Sequence, residues 1–274
     1  MLRFGTSGIP CSSEKQATES GIARARALGL DCLEMAWVNG IRMKPESADR
    51  IAEAARTHAL ELTAHAPYYI NLCGADDVRA RSIDRLVATG ELAARCTARS
   101  FCFHAGFYGR LEPGQAERLV IEGLEQVMRR LRQSGVRLDV RPELTGKASQ
   151  IGSPDDLLSW SERVPGVVPC IDFSHHYARH GGAHNDYAAF TDVLTQVRSR
   201  LGPAALERLH VHVSGIEFGP KGERRHLPLR KSKFRYRELL KALRDANVSG
   251  WVVCESPEME DDALRLKRAY RRLS

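Results

Sequence analysis

The 274-residue sequence predicts an α/β chain folded as a single (β/α)8, or TIM, barrel over residues 1–274. Three observations lead there. Eight short apolar or β-branched runs recur, each followed by a longer stretch with helical spacing, and parallel strands require such crossovers. Eight units in roughly 250 residues is the size of this barrel. No Pro/Ser linker, low-complexity tract or charge block interrupts the chain, so no internal domain boundary is expected.

The strand-like runs are Leu2–Gly5, Cys32–Trp37, Leu60–His65, Ser100–His104, Val136–Glu143, Val167–Asp172, Leu209–Val213 and Trp251–Glu255. Helix signals fill the gaps. Pro45 suits a first helical turn, Ser153-Pro154-Asp155-Asp156 reads as a cap with proline and acids behind it, and Ser232 precedes the apolar spacing of Leu239, Leu240 and Leu243. Asp77–Cys96 and Gln115–Leu131 carry apolar residues three and four apart. An open doubly wound sheet is the alternative, but its glycine fingerprint is missing: Gly5-Thr-Ser-Gly8 and Gly219-Pro-Lys-Gly222 read as turns. No Gly-x-Ser-x-Gly elbow supports a serine hydrolase.

Composition excludes several classes. At 43% hydrophobic and 27% charged residues the chain is neither disordered nor membrane-like. No apolar run approaches the roughly 18 residues of a membrane span, and the start lacks a signal-peptide core. The seven cysteines form no Cys-x-x-Cys pair, and Cys32, Cys96, Cys102, Cys170 and Cys254 sit among apolar neighbours. They read as buried reduced thiols in a cytoplasmic protein. Lys plus Arg (41) exceed Asp plus Glu (34) for a formal charge of +7, which favours a polyanionic partner. No heptad or repeat suggests an oligomer, so a monomer is expected.

The chemistry gathers at the ends of the predicted strands. The third ends at His65, the fourth at His104, the fifth at Glu143, the sixth at Asp172, the seventh near His212 and the eighth at Glu255. The C-terminal strand ends of such a barrel converge on one face, where sites are built. Singly, a strand histidine is usually a core residue and a strand-end carboxylate a helix cap. Six on six successive strands point to a metal site. Imidazole and carboxylate without thiolate suit zinc, manganese or iron. Six side chains exceed the needs of one open catalytic ion and fit two, which can clamp an in-line displacement at phosphorus. His175 and the loop Glu223-Arg-Arg-His226 lie just beyond the strand ends. His58, His176, His180, His184 and His210 are assigned to packing, His210 one layer below His212.

These residues resemble the endonuclease IV (deoxyribonuclease IV) family of apurinic/apyrimidinic endonucleases, within the xylose-isomerase-like barrels. The resemblance spans nearly the whole chain. It rests on His65-Ala-Pro-Tyr68-Tyr-Ile-Asn71-Leu72, Phe103-His-Ala-Gly-Phe-Tyr-Gly109, Glu143-Leu-Thr-Gly-Lys147, Ile171-Asp-Phe-Ser-His175, His210-Val-His-Val-Ser-Gly215 and Cys254-Glu-Ser-Pro257. It implies two to three metal ions, usually zinc, and cleavage of duplex DNA 5′ to an abasic site, leaving a 3′-hydroxyl. His65 and His104 would hold the first ion. Glu143 would bridge it to a second, bound also by Asp172, His212 and Glu255. His175 and His226 would hold a third, with Glu223 either reaching it through its longer side chain or leaving that ligand lost. Tyr68 would enter the DNA, where a nucleotide lacking its base is cheap to flip. Glu143 and Glu255 would be catalytic. The chain departs from the family where Glu223-Arg-Arg-His226 replaces Asp-x-His, where His212-Val-Ser-Gly215 replaces His-x-Asn-Asp, and where Ala105 follows His104 in place of proline.

Arg42, Lys147, Arg224, Arg225, Lys231 and Lys233 are candidate phosphate contacts. The competing function is a sugar isomerase or epimerase using the tetrad Glu143, Asp172, His212 and Glu255 on one ion. His104, His175 and His226 separate the two, since a one-metal isomerase has no need of further imidazoles. A non-catalytic DNA-binding barrel leaves the ligand set unexplained.

Overall fold

The computed structural model describes residues 1–41 and 43–273, so Arg42 lies outside the described residues. Eight parallel strands form the barrel: β1 (Leu2–Ser7), β2 (Cys32–Ala36), β3 (Glu61–His65), β4 (Ser100–Phe103), β5 (Asp139–Pro142), β6 (Cys170–Asp172), β7 (Leu209–Val213) and β10 (Gly250–Cys254). Their hydrogen-bonded order is β5-β4-β3-β2-β1-β10-β7-β6. The isolated parallel bridges Val140↔Val167 and Glu143↔Cys170 join the two ends, so the sheet closes.

Around it lie α1 (Thr18–Ala27), α2 (Pro45–Thr57), α3 (Asp76–Arg95), α4 (Pro113–Gln133), α5 (Pro154–Arg163), α6 (Phe173–Arg179), α7 (Tyr187–Leu201), α8 (Pro203–Glu207), α9 (Tyr236–Asp245) and α10 (Met259–Arg271). The sequence signals act as anticipated in α2, where Pro45 is at the start, and in α5, where the Ser153 hydroxyl accepts from the Asp156 amide. Such a cap contributes about 1 kcal/mol.

Two local readings are corrected, and a third gains its context. Gly5, Thr6 and Ser7 continue β1 rather than turning. A Cβ on Gly5 would stand 2.1 Å from the Cys32 carbonyl oxygen, so the glycine serves close strand packing. Ser232 does not start a helix. Its hydroxyl accepts from the amides of Ile216 and Phe234 and ties down a loop, and α9 begins at Tyr236. Finally, an antiparallel hairpin, β8 (Gly215–Gly219) and β9 (Gly222–Leu227), fills the connection after β7. The predicted turn at Gly219-Pro-Lys-Gly222 is its tip.

Apolar residues on the outer face of the strands, such as Leu33, Leu62, Val211 and Val252, pack against the helices. The interior of the barrel is different. Glu34, Arg141, His210 and His212 are each at most 1% exposed there, beneath the mouth.

A candidate metal centre at the barrel mouth

The strand ends and the β8–β9 hairpin bring His65, His104, Glu143, Asp172, His175, His212, Glu223, His226 and Glu255 together, and all of them but the fully buried Asp172 and His212 line a cavity of about 290 Å³. Glu143 is its hub. Its Oε2 lies 3.1 Å from His65 Nε2 and 3.3 Å from His104 Nε2, while Oε1 lies 3.1 Å from His212 Nδ1 and 3.4 Å from His175 Nδ1. Asp172 divides its oxygens between two tasks. Oδ1 accepts from the amides of Ser174 and His175, capping α6, so the bland reading of a strand-end carboxylate also holds. Oδ2 is buried and accepts no hydrogen bond among the described residues, with His175 Nδ1 3.3 Å away but donating to Leu144 O. Donor atoms of Glu143, Asp172, His212 and Glu255 fall within 4.8 Å of one another, as do those of Asp172, His175 and His226, and of His104, Glu143 and His175.

Backbone carbonyls fix which imidazole nitrogen faces the cavity. A carbonyl only accepts, so Nδ1 carries the proton in His65 (to Ala66 O, 2.8 Å), His175 (to Leu144 O, 2.9 Å) and His226 (to Glu255 O, 3.1 Å). With a cation in place of any second proton, each ring turns the Nε2 lone pair inward. His175 Nε2 and His226 Nε2 stand 3.3 Å apart, with Glu223 Oε2 3.4 Å from the former. Lone pairs converging at that separation need a proton or a cation between them. Two nitrogens on one tetrahedral zinc lie roughly 3.3 Å apart, given Zn–N near 2.0–2.1 Å.

Electrostatics agree. Burial works against charge on His65, yet the hydrogen bond to Glu143 and the Glu143 and Glu34 charges raise it to about 9. Burial opposes charge on His175 and His212 too, but neighbouring Asp172 and Glu143, and Cys170 and Glu255, hold them well above the usual range. Glu143 is held well below the carboxylate range despite its burial, by His104 and His212 above all. A field that keeps protons on three buried imidazoles also favours divalent cations, which would displace those protons on binding. The donor set fits such ions.

The spacing Glu223-Arg-Arg-His226 has a structural explanation. Residues of a flat strand share a face every second position. Here Glu217 pairs with Arg225 and Phe218 with Glu223, so Arg224 is an extra, bulged residue. The bulge turns both Glu223 and His226, three apart, toward the barrel. Arg224 and Arg225 point to solvent and pair with Glu217 at 3.7 and 2.7 Å. Lys147 lines the cavity, whereas Lys231 and Lys233 lie outside it. Tyr68 packs edge-on to His65 with ring centroids 5.5 Å apart and is 59% exposed. Burial and the carboxylates of Glu255, Glu143 and Glu223 raise its phenol.

One buried residue escaped the sequence reading. Glu34 sits within β2, with its carboxylate against His210 and His212. The available signal was a lone acid in the apolar run Cys32-Leu-Glu-Met-Ala36. His210 lies one layer below His212, and burial lowers it to about 4 against the pull of Glu34.

The family model for the xylose isomerase-like TIM barrel matches residues 22–273. An uncharacterized protein of Methanocaldococcus jannaschii is 38% identical over 274 residues, covering 100% of this chain and 98% of that one. A probable endonuclease 4 of Geobacillus sp. is 27% identical over 173 residues, 60% of this chain and 54% of that protein. Endonuclease IV from Thermus thermophilus superposes with a TM-score of 0.76 at 21% identity, covering 99% and 100% of the two chains. A D-tagatose 3-epimerase-like protein superposes with a TM-score of 0.72 at 15% identity, covering 97% and 96%. Fold, coverage and matched residues together make this chain a member of the xylose isomerase-like TIM barrel family.

Proposed function

We propose that the protein is a metal-dependent phosphodiesterase that incises duplex DNA 5′ to abasic sites. The observation that carries this reading is the convergence of His175 Nε2, His226 Nε2 and Glu223 beside the Glu143 hub. These donors lie outside the Glu143, Asp172, His212, Glu255 tetrad that a single ion would use. His65 and His104 add another pair on the opposite side of Glu143. A multinuclear centre, with zinc the favoured ion and manganese or iron alternatives, suits a scissile phosphate better than the hydroxyls of a small sugar. The likeness to endonuclease 4 relatives points the same way.

Divalent cations held there supply Lewis acidity at the phosphate and lower the pKa of an attacking water. The chain's own residues do the rest. Glu143 holds the imidazoles of His65, His104, His175 and His212 around one point. Glu255, with Oε2 3.5 Å from His212 Nδ1, orients the nucleophile. Lys147 grips a phosphate at the rim. Tyr68 enters the duplex beside the cavity, whose volume of about 290 Å³ has room for one sugar-phosphate unit. Tyr69 (60% exposed) and Phe107 (45%) offer further flat surface for nucleotides.

The tetrad by itself and the epimerase-like structural neighbour support the rival reading of a sugar epimerase. One experiment separates them. Protein loaded with zinc or manganese is given duplex DNA carrying a single abasic analogue, intact duplex, and a panel of ketoses. Incision at the analogue alone is expected. Turnover of a ketose with no incision would overturn the nuclease reading.

A further inference from the structure

Backbone carbonyls orient His65, His175 and His226, but His212 has none among the described residues. It also faces the carboxylates of the tetrad with the other nitrogen, Nδ1, which stands 3.1 Å from Glu143 Oε1 and 3.5 Å from Glu255 Oε2. Its Nε2 points down into the barrel, 3.2 Å from Glu34 Oε1. Glu34 and His212 are both fully buried.

The surroundings of Glu34 are those of an ionised acceptor. The Ser7 hydroxyl donates to Oε1 at 3.3 Å, and the Thr63 hydroxyl to Oε2 at 3.1 Å. The Cys102 thiol lies 3.4 Å from Oε2, and His210 Nε2 stands 3.2 Å from the same oxygen. An ionised carboxylate only accepts, so an imidazole N–H at Nε2 is what it can receive, and the two Nε2 atoms, 3.2 Å from one another, compete for its oxygens. Nδ1 faces the equally ionised Glu143 Oε1 at 3.1 Å, so a cation that displaces the proton there meets Nδ1 as the free lone pair, with Nε2–H kept on Glu34.

We propose that Glu34 is a positioning residue that locks His212 in its Nε2–H tautomer and so delivers Nδ1 to the cation shared with Glu143, Asp172 and Glu255. This rests on the metal-centre reading above and deepens it. A carboxylate–imidazole–cation chain fixes the ring and raises the basicity of the ligating nitrogen, and its loss commonly costs ten- to a hundredfold in metal affinity. β2 thus takes part in the centre without contributing a ligand. Ser7 on β1 and Thr63 on β3 hold the carboxylate from either side, so three adjacent strands set one imidazole.

A competing arrangement exists at the same place. Donor atoms of Cys102, Cys170, His210 and His212 fall within 4.8 Å of one another and could form a thiolate-containing metal site of their own. Glu34 argues against it, because its oxygens already receive Cys102, His210 and His212.

The test uses the full-length, untagged protein loaded with zinc and labelled with ¹⁵N-histidine. Wild-type His212, assigned by difference with His212→Gln, should show a slowly exchanging Nε2–H and a zinc-coordinated Nδ1. Coordination through Nε2 would overturn the proposal whether or not Glu34→Gln folds. Glu34→Gln should lower zinc affinity ten- to a hundredfold per folded molecule and shift or broaden that N–H. Thr63→Val, a milder loosening should Glu34→Gln fail to fold, should lower it a few-fold. If Glu34→Gln lowers only the melting temperature, leaving affinity and the N–H signal intact, Glu34 is merely structural and the proposal fails. A wild-type ion that disappears in Cys102→Ala/Cys170→Ala would overturn it in favour of the thiolate site. Wild-type protein that binds no ion at all would remove the metal-centre reading, and this inference with it.

Discussion

His175 and His226 present Nε2 to Nε2 across 3.3 Å, each held there by an Nδ1–H donated to a backbone carbonyl. Neither ring can turn its proton inward without losing that bond. The pair is therefore prepared for a cation by the backbone itself. His226→Ala is expected to remove one bound ion per chain and to weaken the affinity of that position at least tenfold, about 1.4 kcal/mol. Elemental analysis after gel filtration and calorimetric titration measure this. Unchanged stoichiometry would remove His226 from the ligand set.

The β9 bulge leads to a different experiment. Deleting Arg224 while changing Glu223→Asp gives an acid and a histidine two apart, which a regular strand places on one face. Metal stoichiometry should be retained in this double change. An extra alanine inserted after Arg224 should abolish the position. If the insertion binds normally, the bulge does not set the geometry.

Tyr68 stands at the rim and not among the donors. Tyr68→Ala should leave metal content unchanged while weakening binding to abasic duplex by about 1–3 kcal/mol, the worth of one stacked contact. Tyr68→Phe keeps the ring and should bind nearly as well as wild type. Fluorescence anisotropy at fixed salt reads both, since phosphate contacts make any affinity salt-dependent.

His176 links pH to stability away from the mouth. It is 4% exposed with neither ring nitrogen hydrogen-bonded. Burial, then nearby His180, His184 and Arg179, lower its pKa to about 3 from the ordinary 6.5. The unfolded chain therefore binds the extra proton first. Its contribution is complete above pH 6.5 and is lost as the pH falls from there toward 3. At pH 4.5, two units below the unfolded value, the loss is about 2–3 kcal/mol. Urea unfolding of wild type and His176→Leu across this range measures it, and the variant should have the shallower acid slope. Equal slopes would exclude the residue.

Arg141 anchors the opposite end of the barrel. It is 1% exposed and donates to Pro169 O, Arg208 O and Asp139 Oδ2 at 3.1, 2.9 and 2.8 Å. Arg141→Met keeps much of the volume but strands these acceptors, at a cost of about 2–4 kcal/mol. Chemical denaturation should register that loss while the folded fraction keeps its metal content. A neutral result would mean that water replaces the guanidinium.

The sequence by itself determined the barrel and most of the mouth. Eight apolar runs at regular separation leave little choice but parallel strands with helical crossovers. Because strand ends converge, reading the last residue of each run sufficed to name His65, Glu143, Asp172 and Glu255. Ser153 and Pro45 marked helix starts because capping is local chemistry.

Only the tertiary structure decided the rest. Glu34 was hidden because an acid inside an apolar strand is explained solely by what crosses the barrel to meet it, here His210 and His212 from β7. The reach of Glu223 depended on a bulge defined by pairing with Glu217 and Phe218, which residue spacing alone does not encode. The protonated nitrogen of His65, His175 and His226 followed from carbonyls of Ala66, Leu144 and Glu255, whose positions exist only once the barrel has closed. Periodicity reports which face of an element is buried. The donor geometry of a site is a property of contacts between elements far apart in the chain.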